Sequence, residues 1–209
     1  MAAMTTSLRG RVKNTGLPKS HALLPLLEAA VNGIQAIDAR FVGDSSRGRL
    51  DVKIVRSPQA GFDLEFSGPG RAPLEPIVGF VVTDNGVGFN AENMKSFETL
   101  DSDYKSAAGC RGVGRLLWLK AFSKVMVKST YEDEHGNLHG RQFRFSVERE
   151  VEPIDWAETM DDSGTTVELD SFGPAYQKSA PKTAAAIARE VFEHCIWYFC
   201  GLVARPRYG

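Results

Sequence analysis

Neither sign of charge dominates this chain. Its 25 Lys and Arg stand against 26 Asp and Glu, a formal net charge of -1 over 209 residues. That balance excludes a global basic field of the kind that holds nucleic acid or an anionic membrane, and nucleic acid is not indicated as a partner. Cysteine is scarce: Cys110, Cys195 and Cys200 contain no C-x-x-C pair and do not make a disulfide framework. Cys195 and Cys200 lie five apart, off a shared helix face, and zinc would also need His194 and distant partners. Structural thiols in a reducing cytoplasm are the expectation. No apolar run approaches the ~18 residues of a membrane span. The N-terminus has no apolar core of the secretory kind. The 20 Gly and 10 Pro follow no collagen-like or low-complexity period.

What is there reads as an ordinary globular domain, 43% hydrophobic and 24% charged. Residues 1–19 carry Arg9, Arg11, Lys13 and Lys19 and no acid, and read as an N-terminal arm or short strap before one domain over 20–209. A helix is predicted over 20–40, with Ser20 able to cap it and Pro25 delaying its start. Alternation predicts half-buried strands at 50–56 and 62–66, and the nearly all-apolar 77–83 a central strand. Gly and Pro make 68–76 a loop. A short helix capped by Asn90 is predicted at 91–98, then a loop over 99–111 and a helix over 113–122. Strands at 123–131 and 140–149 flank a turn near Glu134–Asn137, another strand spans 165–169, and a long helix closes the chain over 182–203. Strands mostly follow strands, which predicts an α+β fold: one sandwich with a mixed, mostly antiparallel sheet.

Four segments carry chemistry. Glu28, Asn32 and Gln35 fall at i, i+4 and i+7 of the first long helix, on one narrow polar strip among Leu24, Leu27, Val31 and Ile34. Such a strip is either a solvated stripe or a carboxylate and an amide aimed together into a site. In the second case the amide oxygen suits Mg²⁺ and the carboxylate suits activating a water. Asp84-Asn85-Gly86-Val87-Gly88 ends the buried strand. It is either a turn or a carboxylate placed to accept from a base amine, with glycines that let backbone approach a flat ligand. Gly109-Cys110-Arg111-Gly112-Val113-Gly114-Arg115 opens a helix, where free amides and glycines suit phosphate. The chain has no Gly-Lys-Ser/Thr of a P-loop, and its glycines do not follow a strand as a dinucleotide fingerprint requires. Gly164-Thr165 by itself is a turn leading into a strand.

In this order the four segments resemble the GHKL ATPase superfamily, the ATP-binding domain shared by DNA gyrase B, the ninety-kilodalton heat-shock chaperone, MutL and sensor histidine kinases. Glu28-x-x-x-Asn32 matches the N-box, Asp84-x-Gly86-x-Gly88 the first glycine box, Gly109-x-x-Gly112-x-Gly114 the second, and Gly164-Thr165 the Gly-Thr box. The resemblance spans roughly residues 8–203, and the closing helix with Trp197-Tyr198-Phe199 is placed like the one that ends the chaperone's domain. It implies the Bergerat fold, with helices on one face of the sheet.

The resemblance also implies roles. Glu28 is the general base and Asn32 the ligand of Mg²⁺ on the triphosphate. Asp84 reads the adenine amine with Thr165 assisting, and Gly86 and Gly88 wall the adenine. Gly109, Gly112, Val113 and Gly114 present amides to phosphate, and Asn93, Lys105 and Arg115 join the nucleotide-binding set. Residues 90–111 are the ATP lid. Two departures stand out. Gln35 occupies the slot where several members place Asp, and Asp38 is about 120° off the face of Asn32. The cation that stabilises γ-phosphate charge comes in hydrolytic members from a following domain. Here it is expected from a downstream domain or protein partner, from Arg111 or from Arg115, and the chain reads as the N-terminal part of a longer polypeptide. The implied activity is Mg²⁺-dependent ATP binding and slow hydrolysis, with homodimerisation on ATP binding. The alternatives are a non-catalytic nucleotide-sensing module and, further off, a protein histidine kinase, whose members usually lack the Glu28 carboxylate.

Overall fold

The computed structural model describes residues 7–42, 44–58, 74–99, 114–155 and 159–199. Six strands form one sheet in the order β1-β2-β6-β3-β4-β5. They are β1 (Leu50–Arg56), β2 (Ile77–Asp84), β3 (Phe122–Glu132), β4 (Leu138–Ser146), β5 (Glu150–Ile154) and β6 (Gly164–Phe172). Every pairing is antiparallel. The α+β reading therefore holds, and the expected mixture of directions resolves to a wholly antiparallel sheet.

Alternation along the strands builds one dry face. Phe80 and Val82 of β2, Val125 and Val127 of β3, Phe143 and Phe145 of β4 and Val167 and Leu169 of β6 are buried together. The opposite face is polar. Lys128 meets Glu168 at 2.8 Å, Arg144 meets Glu152 at 3.2 Å, and the hydroxyls of Thr83 and Thr166 lie 3.1 Å apart.

Helix α2 (Leu24–Arg40) lies on the dry face against β2 and against α4 (Gly114–Ala121). It starts four residues later than the predicted 20. Lys19–His21 form a 3-10 turn, and no side chain caps α2, so Ser20 does not serve. Pro25 sits in its first turn, where a missing amide costs nothing. The indole nitrogen of buried Trp118 donates to the Pro25 carbonyl at 3.0 Å and ties α4 to that turn. Helix α6 (Ala184–Phe199) packs along α2 through Cys195, Ala30, Val31 and Ile34, and burial pushes the Cys195 thiol up to about 11. Phe192 and Trp197 of α6 stay exposed.

Three elements were not foreseen. Within the predicted arm, Leu8–Asn14 is a helix, α1, capped by the Ser7 hydroxyl and held by buried Leu8 and Val12. The Lys120 ammonium donates to its Val12 and Lys13 carbonyls, both at 3.1 Å. Strand β5 extends the sheet beyond β4, and Pro174–Ser179 form the short helix α5. The predicted strand 62–66 lies outside the described residues. Among the described residues no helix is long and apolar enough to cross a membrane.

Helix α3 (Ala91–Glu98) has the predicted cap, the Asn90 side chain accepting from the Asn93 amide at 2.9 Å. Its Phe97 is buried in an aromatic cluster, with ring centroids 5.5 Å from Phe89, 5.2 Å from Phe143 and 5.1 Å from Phe145. The front of the expected lid is thus anchored to the core, and 100–111 lie outside the described residues. Phe97→Ala is expected to cost about 3–5 kcal/mol, the range for emptying a buried aromatic site. Urea denaturation measures it, and a loss below about 1 kcal/mol would mean that Phe97 does not anchor α3.

Candidate functional site

Helix α2 is where the described motif segments meet. Residue 28 of this helix meets the start of α4, residues 33, 36 and 40 meet the turn from Asp84 to Val87, and residue 40 also reaches Ser163. At the first, Gly114 packs against the Glu28 carboxylate: a Cβ added there would sit 2.2 Å from Glu28 Oε2. At the second, Gly33 lies beside Asp84, where an added Cβ would be 3.3 Å from Asp84 Cβ and 3.4 Å from Oδ2. At the third, Gly86 presses on helix backbone. An added Cβ would lie 2.5 Å from the Ala36 carbonyl carbon, and the Val87 amide donates to the Ala36 carbonyl at 3.1 Å. At the fourth, Arg40 donates to the carbonyls of Asn85 at 2.8 Å and Ser163 at 3.1 Å.

The two acids of the site are desolvated. Asp84, at the end of β2, is 8% exposed. Its Oδ1 accepts from the Gly86 amide at 2.8 Å. Burial pushes its pKa up to about 7, against the Gly86 and Thr165 amides, which pull it down. Glu28 is raised above the ordinary carboxylate range by burial. Asn32, one turn along from Glu28, is exposed.

Strand pairing sets Asp84 directly opposite Thr165, which is buried. Behind them Ser129 of β3 is saturated with hydrogen bonds. Its hydroxyl donates to the Gly164 carbonyl at 2.8 Å and accepts from the Phe89 amide at 2.8 Å. Since that donation uses its one proton, the 3.1 Å contact with Thr165 Oγ1 has Thr165 donating. Gly88 requires glycine: its φ is +71°, and an added Cβ would meet the Thr130 carbonyl at 2.2 Å.

Asn93 and Arg115 have structural engagements. The Asn93 amide donates to the Gly88 carbonyl at 2.9 Å, which fixes the end of the glycine turn. Arg115 donates to the Thr99 carbonyl at 2.8 Å and lies 5.1 Å over the Phe97 ring, so its guanidinium caps the end of α3, and burial lowers its pKa to about 10. Lys105, Gly109, Gly112, Val113 and Arg111 lie outside the described residues. The structure therefore brings Glu28, Asn32, Asp84, Gly86, Gly88, Gly114 and Thr165 to α2 and the adjacent ends of β2 and β6.

Sequence reasoning missed Arg40, Ser129, Ser163 and Arg141. Ser163 donates its hydroxyl to the Gly86 carbonyl at 2.9 Å, and Arg141 donates to the Phe89 carbonyl at 2.6 Å and the Asn90 carbonyl at 3.1 Å. All four act on main-chain atoms, which no side-chain motif announces.

Among the described residues no three His, Cys, Asp or Glu side chains gather into a metal cage. A single Asn amide suits Mg²⁺ where phosphate oxygens and water supply the other ligands.

The raised pKa of Asp84 has a defined sign. The folded state holds this proton more tightly than the unfolded chain, whose ordinary value is 3.8. The contribution to stability is therefore complete below pH 3.8 and is lost as pH rises through about 7. Asp84→Asn keeps an oxygen for the Gly86 amide and does not ionise. Relative to wild type it is expected to gain about 2–3 kcal/mol between pH 5 and pH 8. Paired urea titrations at the two pH values measure this, and an unchanged difference would show that Asp84 titrates as an ordinary carboxylate.

Compared with known protein families, the chain matches none. Among curated proteins, too, no significant relative is found.

Proposed function

We propose that the chain is a Mg²⁺-dependent ATP-binding domain that hydrolyses ATP slowly and acts as a nucleotide-gated switch. One observation carries the reading. Three segments far apart in the chain, the turn from Asp84 to Val87, Gly114 at the start of α4 and Ser163 beside the start of β6, meet α2, which itself carries Glu28 and Asn32.

Asp84 supplies a carboxylate at the end of a buried strand, where an exocyclic amine is a fitting donor. A cationic or amine partner would favour its ionised form and so offset its desolvation. Thr165, held by Ser129 and opposite Asp84, lies on the same side. Gly86 and Gly88 let the turn close on Ala36 and on the Thr130 carbonyl, which holds it beside Asp84. At the other end, Gly114 begins α4 against Glu28, so the first amides of that helix and the carboxylate share one location.

Bound ATP with Mg²⁺ supplies the electrophilic γ-phosphorus and the ADP leaving group. Glu28 accepts a proton from the attacking water, and its burial tunes it upward toward that task. Asn32 offers its amide oxygen to the metal. Positioning and charge stabilisation carry most of the rate in such reactions. Arg115 is committed to α3, so the γ-phosphate cation falls to Lys105, Arg111, a following domain or a protein partner. A dimer formed on nucleotide binding and a cytoplasmic setting belong to this same proposal.

Calorimetric titration of ATP with and without Mg²⁺ is the first test. Saturable binding strengthened by Mg²⁺ is expected. Glu28→Gln is expected to abolish turnover while keeping ATP affinity within about threefold, since the carboxylate serves the water and not the ligand. Turnover at the wild-type rate in this variant would remove Glu28 as the base. Asp84→Asn is expected to weaken ATP binding by about 1.5–3 kcal/mol. Tight binding with no turnover in the wild type would favour a nucleotide-sensing module instead.

A further inference from the structure

Two segments that must agree in position carry the base end of the candidate site, and they are far apart in the chain. Asp84 is the last residue of β2 and Thr165 the second of β6, and the two form the last pair of that ladder. Strand pairing fixes these two residues but not the backbone just beyond them, Asn85–Gly86 on one side and Asp162–Ser163 on the other. Arg40, in the last turn of α2, meets both loops. Its Nη1 donates to the Asn85 carbonyl at 2.8 Å and the Ser163 carbonyl at 3.1 Å, and its Nη2 pairs with Asp162. Asp162 in turn accepts from the Ser163 amide at 2.8 Å, and the Arg40 guanidinium holds its carboxyl below the usual range. Ser163 closes the loop by donating to the Gly86 carbonyl at 2.9 Å. Arg40 is itself held: its guanidinium lies 4.9 Å from the centre of the Phe41 ring, which Arg47 also contacts at 4.9 Å, and its side chain is 20% exposed.

We propose that Arg40 is a positioning residue of this site, clamping the Asn85–Gly86 turn to the Asp162–Ser163 segment just beyond the Asp84–Thr165 pair, so that the Gly86 amide stays aimed at the Asp84 carboxylate. The inference deepens the nucleotide reading and rests on it. A planar fork with several donors suits two converging carbonyls and a carboxylate, whereas a lysine ammonium is a single compact charge on a different stem. Arg40 stands twelve residues from Glu28, about 18 Å along the helix at 1.5 Å per residue. It therefore acts on recognition of the base and leaves the attacking water alone.

The test compares wild type with Arg40→Ala and Arg40→Lys, using hydrogen exchange without ligand, ATP and GTP affinities, and turnover. In Arg40→Ala, faster exchange is expected at the Gly86, Val87 and Thr165 amides, with wild-type protection across β3 and β4. ATP affinity is expected to fall about tenfold, the loss that matches one charged hydrogen bond to the site. The preference for ATP over GTP should shrink, and kcat at saturating ATP should stay within about twofold. Arg40→Lys should fall between the two, and it carries the test if Arg40→Ala does not fold. A general loss of structure would instead lower kcat and leave the ATP-to-GTP ratio unchanged. Unaltered exchange at the three amides, or local loosening with unaltered affinity and ratio, overturns this inference alone. A wild-type chain that binds neither nucleotide overturns the nucleotide reading and this inference with it.

Discussion

The close approach of α2 to the ends of β2 and β6 organises this molecule. Helix and turn meet backbone to backbone at Ala36 and Gly86, with the Val87 amide bonded to the Ala36 carbonyl. A side chain at 86 would hold the two about one atom layer further apart. Asp84 would then lose its neighbour Gly33, and Arg40 would no longer span to Asn85 and Ser163. The helix thus serves as a ruler, with the start of α4 set at Glu28 and the turn from Asp84 to Val87 set along Gly33, Ala36 and Arg40.

That arrangement has an electrostatic cost. Burying a carboxylate without a cation is unfavourable, and the acids with lowered pKa values lie near the surface beside a partner. Asp133 is held far below the usual range by His139 and by the amides of its hairpin, and Asp162 is lowered by Arg40. Glu28 and Asp84 are shifted the other way, by desolvation. Acids raised by burial, gathered along one helix face and flanked by glycines, fit a task in binding or proton transfer better than a task in folding.

Most of the fold is legible where a burial period is strong. The run over 77–83 has one reading, and the alternation in 123–131 and 140–149 gives β3, its turn and β4. Where burial is slight the pattern fails. Strand β5 has five residues, one of them Pro153, on the edge of the sheet, where proline is tolerated and no alternation is enforced. Helix α1 looks like a basic arm because its only inward residues are Leu8 and Val12, although their spacing of four and the Ser7 cap are helical signals. The site divides the same way. Glu28, Asp84 and the glycines stand out because their residue types are unusual for their surroundings. Arg40, Ser129 and Ser163 are ordinary residues whose partners are distant carbonyls and amides, and only the folded chain brings those together.

The seam along α2 bears on how this protein can diversify. At Gly114 the obstacle to a larger residue is the carboxylate of Glu28, a side chain that can swing aside. At Gly86 the obstacle is the main chain of Ala36. No replacement of a neighbouring side chain moves a main-chain atom out of the way, so no partner substitution opens space there. The end of the helix near Glu28 can therefore yield by a side-chain shift, while the end near Gly86 changes only if the helix itself is re-seated.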